Sequence, residues 1–180
     1  MKYLYITHTY KLPMPVYPGE AEPTFVNTTS IGANGYIDIE VTTGLHVGTH
    51  IDAPAHMIAG GKLLSDYPLK RFIGRGVLID ARGKSCIDRL LLQGVELKPG
   101  DIVLVITGWS KWYRVGSTSE ESVPTSEENP NANRYFINYP IVEESFAEKL
   151  IDEKVSMLGI DTPSPDQFIN NEELEKRRSN

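Results

Sequence analysis

The 180-residue sequence has one cysteine, Cys86, so it can close no internal disulfide and build no cysteine-rich zinc site. Any metal held by this chain must use nitrogen and oxygen ligands. Histidine is also scarce, at four residues. Basic residues are outnumbered, 18 Lys and Arg against 24 Asp and Glu, for a formal net charge of -6. With no basic stripe to neutralise phosphates, a nucleic-acid partner is excluded. Nowhere do enough consecutive apolar residues occur to span a bilayer, and the N-terminal apolar run is too short for a signal peptide. A cytoplasmic protein with no membrane partner is expected.

What is present fits one well-buried core rather than two. Short apolar runs bounded by Gly and Pro, YLYIT (3–7), GYIDIEVTT (35–43), GRGVLIDA (74–81) and GDIVLVIT (100–107), read as strands. CIDRLLLQG (86–94) reads as a helix closing at Gly94. PIVEESFAEKLIDEK (140–154) reads as a second helix, with acidic residues in its first turn and apolar positions at Ile141, Phe146, Leu150 and Ile151. It leads into a strand, VSMLGID (155–161). Strands alternating with fewer helices predict a mixed α and β domain. The polar stretch 115–133 reads as a long loop, and the tail after it, NNEELEKRRSN (170–180), offers nothing to a core.

Three of the four histidines fall in HVGTHIDAPAH, His46 to His56, with Asp52 among them. His46 and His50 stand four apart, as paired zinc ligands do on a protease helix. No Glu follows His46, however, Gly48 weakens a helix, and Pro54 disfavours the α conformation at Ala53, so the segment is expected to be a shaped loop. It follows a strand, and a sheet would hold its base in place. Neutral imidazoles and a carboxylate suit a first-row divalent ion such as Zn²⁺ or Mn²⁺. Gly48 would let the backbone fold close to the ion, and Thr49 could orient a ligand. Taken singly, each histidine is more simply a surface or core residue satisfied by a backbone carbonyl; three on one bent loop with an aspartate favour a metal.

HVGTHIDAPAH resembles the signature of the metal-dependent cyclase family, which includes bacterial kynurenine formamidases and isatin hydrolases. PMPVYPGE, GDIVLVITGWS and LGIDTPSPD resemble, in the same order, its early turn, its central strand and its late strand with the loop that follows. The resemblance runs to about Asp166. It implies a swivelling β/β/α fold, an α+β domain whose mixed β-barrel-like core is flanked by helices, and a homodimer or homotetramer. It makes His46, His50 and Asp52 metal ligands, with Asp52 also reaching a second ion, so that one or two Zn²⁺ (or Mn²⁺) are expected, and it makes His56 the proton donor and acceptor. Tyr17 stands where kynurenine formamidases carry a substrate-contacting tryptophan.

The implied activity is hydrolysis of a small, aromatic amide, N-formylkynurenine to kynurenine and formate, with an isatin-type cyclic amide as the neighbouring reading. Family members carry a further metal-binding His and Glu near the C-terminus, but no His follows His56 here, and Glu172, Glu173 and Glu175 receive no role. Residues 1–166 are therefore read as the cyclase-like hydrolase domain and 167–180 as a polar tail in place of the family's last helix and strand. The competing reading is a truncated metal-binding or small-molecule-binding relic.

Among the other candidates, His8 is read as structural or pocket-lining. Trp109 and Trp112 suit either an aromatic pocket or the core. Asp161 is read as structural, and Cys86 as an incidental thiol, since the remaining histidine offers it no evident base.

Overall fold

A computed structural model describes residues 3–113 and 134–166. The expected loop at 115–133 and the tail at 167–180 lie outside the described residues. The chain divides into two compact units, Met1–Asp52 with Tyr113–Ala132, and Ala53–Trp112 with Asn133–Asn180.

In the first unit, β1 (Thr24–Asn27) pairs antiparallel with β2 (Ile39–Thr42), in a register that sets Phe25 opposite Val41 and Asn27 opposite Ile39. A one-turn helix, α1 (Ile31–Asn34), lies between them. Ser30 caps it by accepting the Ala33 N–H, and Gly35 closes it at φ 80°, a left-handed conformation that glycine adopts without a Cβ penalty. This overturns the long strand expected over 35–43, because Gly35 still belongs to the helix cap and pairing begins only at Ile39. The strand expected at 3–7 is also absent. Tyr3, Leu4, Tyr5 and Ile6 are exposed and pair with no strand, and alternation alone does not supply a partner. Among the described residues of this unit, Met14 and Val47 are buried hydrophobic side chains.

The second unit is built on a three-stranded parallel sheet in the order β3 (Gly76–Asp80), β5 (Ile102–Ile106), β7 (Met157–Ile160), with a two-residue parallel pair, β4 (Cys86–Ile87) with β6 (Ile141–Val142), beside it. The period of two along a strand puts Val103 and Val105 of the central β5 on the buried face with Ile79. Phe146 and Leu150, one turn apart on α2 (Glu144–Asp152), join the same cluster with Ile87 and Leu92. On the other face, a Cβ at Gly159 would sit 2.7 Å from Leu104 Cδ2, so any side chain there would require Leu104 to move. The helix expected over 86–94 is instead β4 followed by a single 3-10 turn, Arg89–Leu92. Asp88 caps that turn by accepting the Leu90 N–H, and the left-handed Gly94 follows too soon for an α-helix to propagate. The other expected helix begins at Glu144, after Ile141 and Val142 are taken into β6.

The mixed α and β architecture is as expected. Among the described residues the strands form three open sheets, and no sheet closes into a barrel. No described helix is long and apolar enough to cross a membrane.

The ends of β5 and β7 are tied together by Asp161. Its carboxylate accepts the Thr107 N–H at 2.7 Å, the Thr107 hydroxyl at 2.6 Å and the Ser110 N–H at 3.3 Å. Burial pushes this carboxyl's pKa up, but the bonds from Thr107 and Ser110 outweigh burial and hold it below the ordinary carboxylate value. A depressed pKa contributes stability above the unfolded-state value and loses it as pH falls through the folded-state value. Asp161→Ala is therefore expected to cost about 1.5–3 kcal/mol at neutral pH, the scale of hydrogen bonds to a charged group. The gap from wild type should close as the pH is lowered into the acid range. Thermal melts of both proteins across pH check this; a gap that does not change with pH would remove the ionised carboxylate from the explanation.

Candidate metal centre

The loop after β2 is shaped by two glycines and one buried anchor. A Cβ at Gly44 would lie 3.3 Å from Glu20 Oε2, so the loop passes close to the turn Tyr17–Glu20. That turn is closed by the Glu20 N–H donating to the Tyr17 carbonyl at 3.0 Å, with Pro18 and the left-handed Gly19 (φ 92°) at its centre. Val47 is 5% exposed and fixes the middle of the loop. Gly48 turns the chain at φ 74°. No regular helix forms over 43–52, as Gly48 and Pro54 imply.

The turn converges three side chains. His46 Nδ1 lies 3.2 Å from His50 Nε2 and 2.9 Å from Asp52 Oδ1, and His50 Nε2 lies 3.5 Å from the same oxygen. Ligand atoms about 2.0–2.1 Å from a tetrahedral zinc ion stand about 3.3 Å from one another, so a triangle of this size fits one face of such a coordination sphere. The donor set, two imidazoles and a carboxylate, also matches zinc chemistry. His50 Nδ1 lies 2.8 Å from the Gly48 carbonyl. A carbonyl only accepts, so Nδ1 carries the proton and Nε2 turns its lone pair toward the other two ligands. The three side chains are 28–46% exposed, which leaves the cluster open to solvent on one side.

Thr49 does not orient a ligand through any bond seen here; its hydroxyl accepts the His8 N–H at 3.0 Å. The His8 ring stacks on Tyr113, with centroids 3.8 Å apart, which fits the structural reading of His8. Tyr17 is half-buried on its turn.

His56 belongs to the second unit, where it ends the 3-10 turn Pro54–His56 and is exposed. Gly61 packs directly beneath that turn. A Cβ there would lie 2.7 Å from Pro54 C and 2.8 Å from Ala55 N, contacts with backbone that no side-chain motion relieves. Nothing in the local sequence pattern signals this fit of Gly61 against residues 54 and 55.

Trp109 donates Nε1–H to the Tyr135 carbonyl at 2.8 Å, and Arg134 covers Trp112 with its guanidinium 3.6 Å from the ring centre. The Cys86 thiol donates to the Glu143 carboxylate at 2.6 Å. That bond, with burial and the nearby negative charges, pushes its pKa up, away from a nucleophilic thiolate.

Residues 4–167 match the family model described as "Putative cyclase". The chain belongs to the cyclase family. It is 28% identical over 155 residues to the kynurenine formamidase of Geobacillus thermodenitrificans, covering 85% of this chain and 65% of that protein. The chain thus spans just under two thirds of that relative's length. Among solved structures it is similar to a potential metal-dependent hydrolase with cyclase activity, with TM-score 0.64, 24% identity and coverage of 94% of this chain and 72% of that one. It is also similar to isatin hydrolase A from Labrenzia aggregata, with TM-score 0.67, 21% identity and coverage of 89% and 68%. These likenesses establish that the fold is that of cyclase-family structures.

Proposed function

We propose that this cyclase-family chain is a metal-dependent hydrolase acting on the carbon–nitrogen bond of a small aromatic amide. The reading rests on the convergence of His46 Nδ1, His50 Nε2 and Asp52 Oδ1 into one triangle of ligand size. Those three side chains would hold the divalent ion, zinc by donor set and manganese as the alternative. When bound, it supplies Lewis acidity and lowers the pKa of water toward neutrality. Asp52 offsets part of the ion's charge, and the Gly48 carbonyl keeps His50 in the ligating tautomer.

His56 is the group proposed to move protons, since imidazole exchanges them near neutral pH. In the reaction His56 would take a proton from water as the water oxygen bonds to the amide carbonyl carbon, and would return that proton to the departing nitrogen as the carbon–nitrogen bond breaks. Tyr17 offers an aromatic surface to a planar substrate. The relation to kynurenine formamidase favours N-formylkynurenine, giving kynurenine and formate. An isatin-type cyclic amide is the second reading, supported by the fold likeness to isatin hydrolase A. Phe25, Val26, Ile39 and Val41 are exposed along both strands of the first unit, and a homodimer or homotetramer that covers them belongs to the same proposal.

The test is metal analysis of the purified chain, together with assays on N-formylkynurenine and on isatin with zinc supplied and with a chelator. Zinc-dependent hydrolysis of either supports the reading, and preference between the two decides the substrate. Zinc-loaded protein that hydrolyses neither overturns it.

The fit of Gly61 gives a second expectation. Gly61→Ala must displace the turn that carries His56, and misplacing a reacting group by about 1 Å costs on the order of 10²-fold in rate. kcat should fall on that scale while zinc content stays, because a Cβ at Gly61 presses on the backbone of Pro54 and Ala55, outside the ligand triangle. Unchanged turnover in this variant would separate His56 from the chemistry.

A further inference from the structure

Tyr10 touches the metal loop on both sides of His46. The Thr43 hydroxyl donates to the Gly44 carbonyl at 2.9 Å, so in its 2.5 Å contact with Tyr10 the Thr43 oxygen accepts and the phenol donates. A relay thus runs from the phenol through Thr43 to the backbone two residues before His46. On the far side, the Tyr10 ring lies 3.5 Å from where a Cβ of Gly48 would be. Gly48 is the residue whose carbonyl holds His50. The same ring stacks on Phe25 of β1, with centroids 5.7 Å apart and planes 19° from parallel, which ties the loop to the strand pair. Two residues earlier, the His8 N–H fastens to Thr49.

We propose that Tyr10 is a positioning residue that holds the His46–Asp52 loop in its ligating shape, a role that rests on the metal reading above. Its effect would pass through Thr43 and Gly44 to His46, and through Gly48 to His50.

The test uses the full chain and zinc alone. Tyr10→Phe removes the phenol and keeps the ring, and should weaken zinc binding by several-fold up to about 10-fold, the lower end of what outer partners of metal ligands contribute. Thr43→Val should do the same, and the double variant should be no worse than either single one, because both break one relay. Tyr10→Ala also removes the ring from Gly48 and should approach about 100-fold. Cobalt substitution supplies a readout independent of activity: the intense visible bands of tetrahedral Co²⁺ should weaken in Tyr10→Phe while the melting temperature of the metal-free protein stays near wild type.

Wild-type zinc affinity and cobalt spectra in Tyr10→Phe and Thr43→Val, or strictly additive losses in the double variant, would overturn the inference and leave the metal reading standing. If Tyr10→Ala does not fold, the two conservative variants decide. A wild-type chain that takes up no zinc defeats the metal reading, and the inference falls with it.

Discussion

His50→Ala is expected to weaken zinc binding by more than the roughly 10- to 100-fold that the loss of an outer partner costs, and to remove most metal-dependent hydrolysis with it. The expectation follows from how few ligands the site has. Among the described residues, His46, His50 and Asp52 are the only group of three or more metal-binding side chains brought within reach of one ion. Losing one leaves an imidazole and a carboxylate, and a two-ligand site on an open loop competes poorly with water. The Nδ1–H bond to Gly48 disappears in the same change, so the turn also loses one of its own ties. His8→Ala serves as the histidine control. His8 meets Thr49 through its main-chain N–H, which alanine keeps, so zinc content should change little. Comparing the two variants by metal analysis after dialysis against limiting chelator decides the matter. Equal zinc in wild type and His50→Ala would end the assignment of this loop as a metal centre.

The candidate metal loop was legible in the sequence because His46, His50 and Asp52 lie within seven residues of one another. Gly48 and Pro54 disfavour a helix there, and the turn brings His46, His50 and Asp52 together. The strands β3 and β5 were legible for a different reason, because GVLID and DIVLVI are dense in β-branched and apolar residues. β1 escaped notice because TFVN is four residues long and becomes a strand only when β2 pairs with it. The segment 3–7 shows the opposite failure, a good strand pattern with nothing to pair with. The segment 86–94 failed because Asp88 and Gly94 cap and close a turn before an α-helix can form. What sequence could not reach were contacts between distant residues: Thr107 with Asp161, 54 residues apart, Tyr10 with Thr43, 33 apart, and the backbone of Pro54 resting on Gly61. Each depends on the path of the chain between the two residues, which local pattern does not encode.

His56→Ala is expected to lower kcat by roughly 10²- to 10⁴-fold, the usual contribution of a positioned acid or base, with zinc content unchanged. The two halves of this expectation have separate grounds. Zinc should stay because the ligand triangle closes without His56, which lies in the second unit on its own 3-10 turn. The rate should fall because an anilide-like nitrogen leaves poorly without a proton. KM should move less than kcat, since a group that gives a proton in the transition state adds little to ground-state binding. Added imidazole should recover part of the lost rate in His56→Ala but none in His50→Ala, where the missing function is a ligand. Loss of zinc together with activity in His56→Ala would make His56 a ligand instead of an acid, and full turnover would place proton transfer on another group. The two variants together separate holding the ion from moving the proton, because each removes one imidazole and only His50 belongs to the ligand triangle.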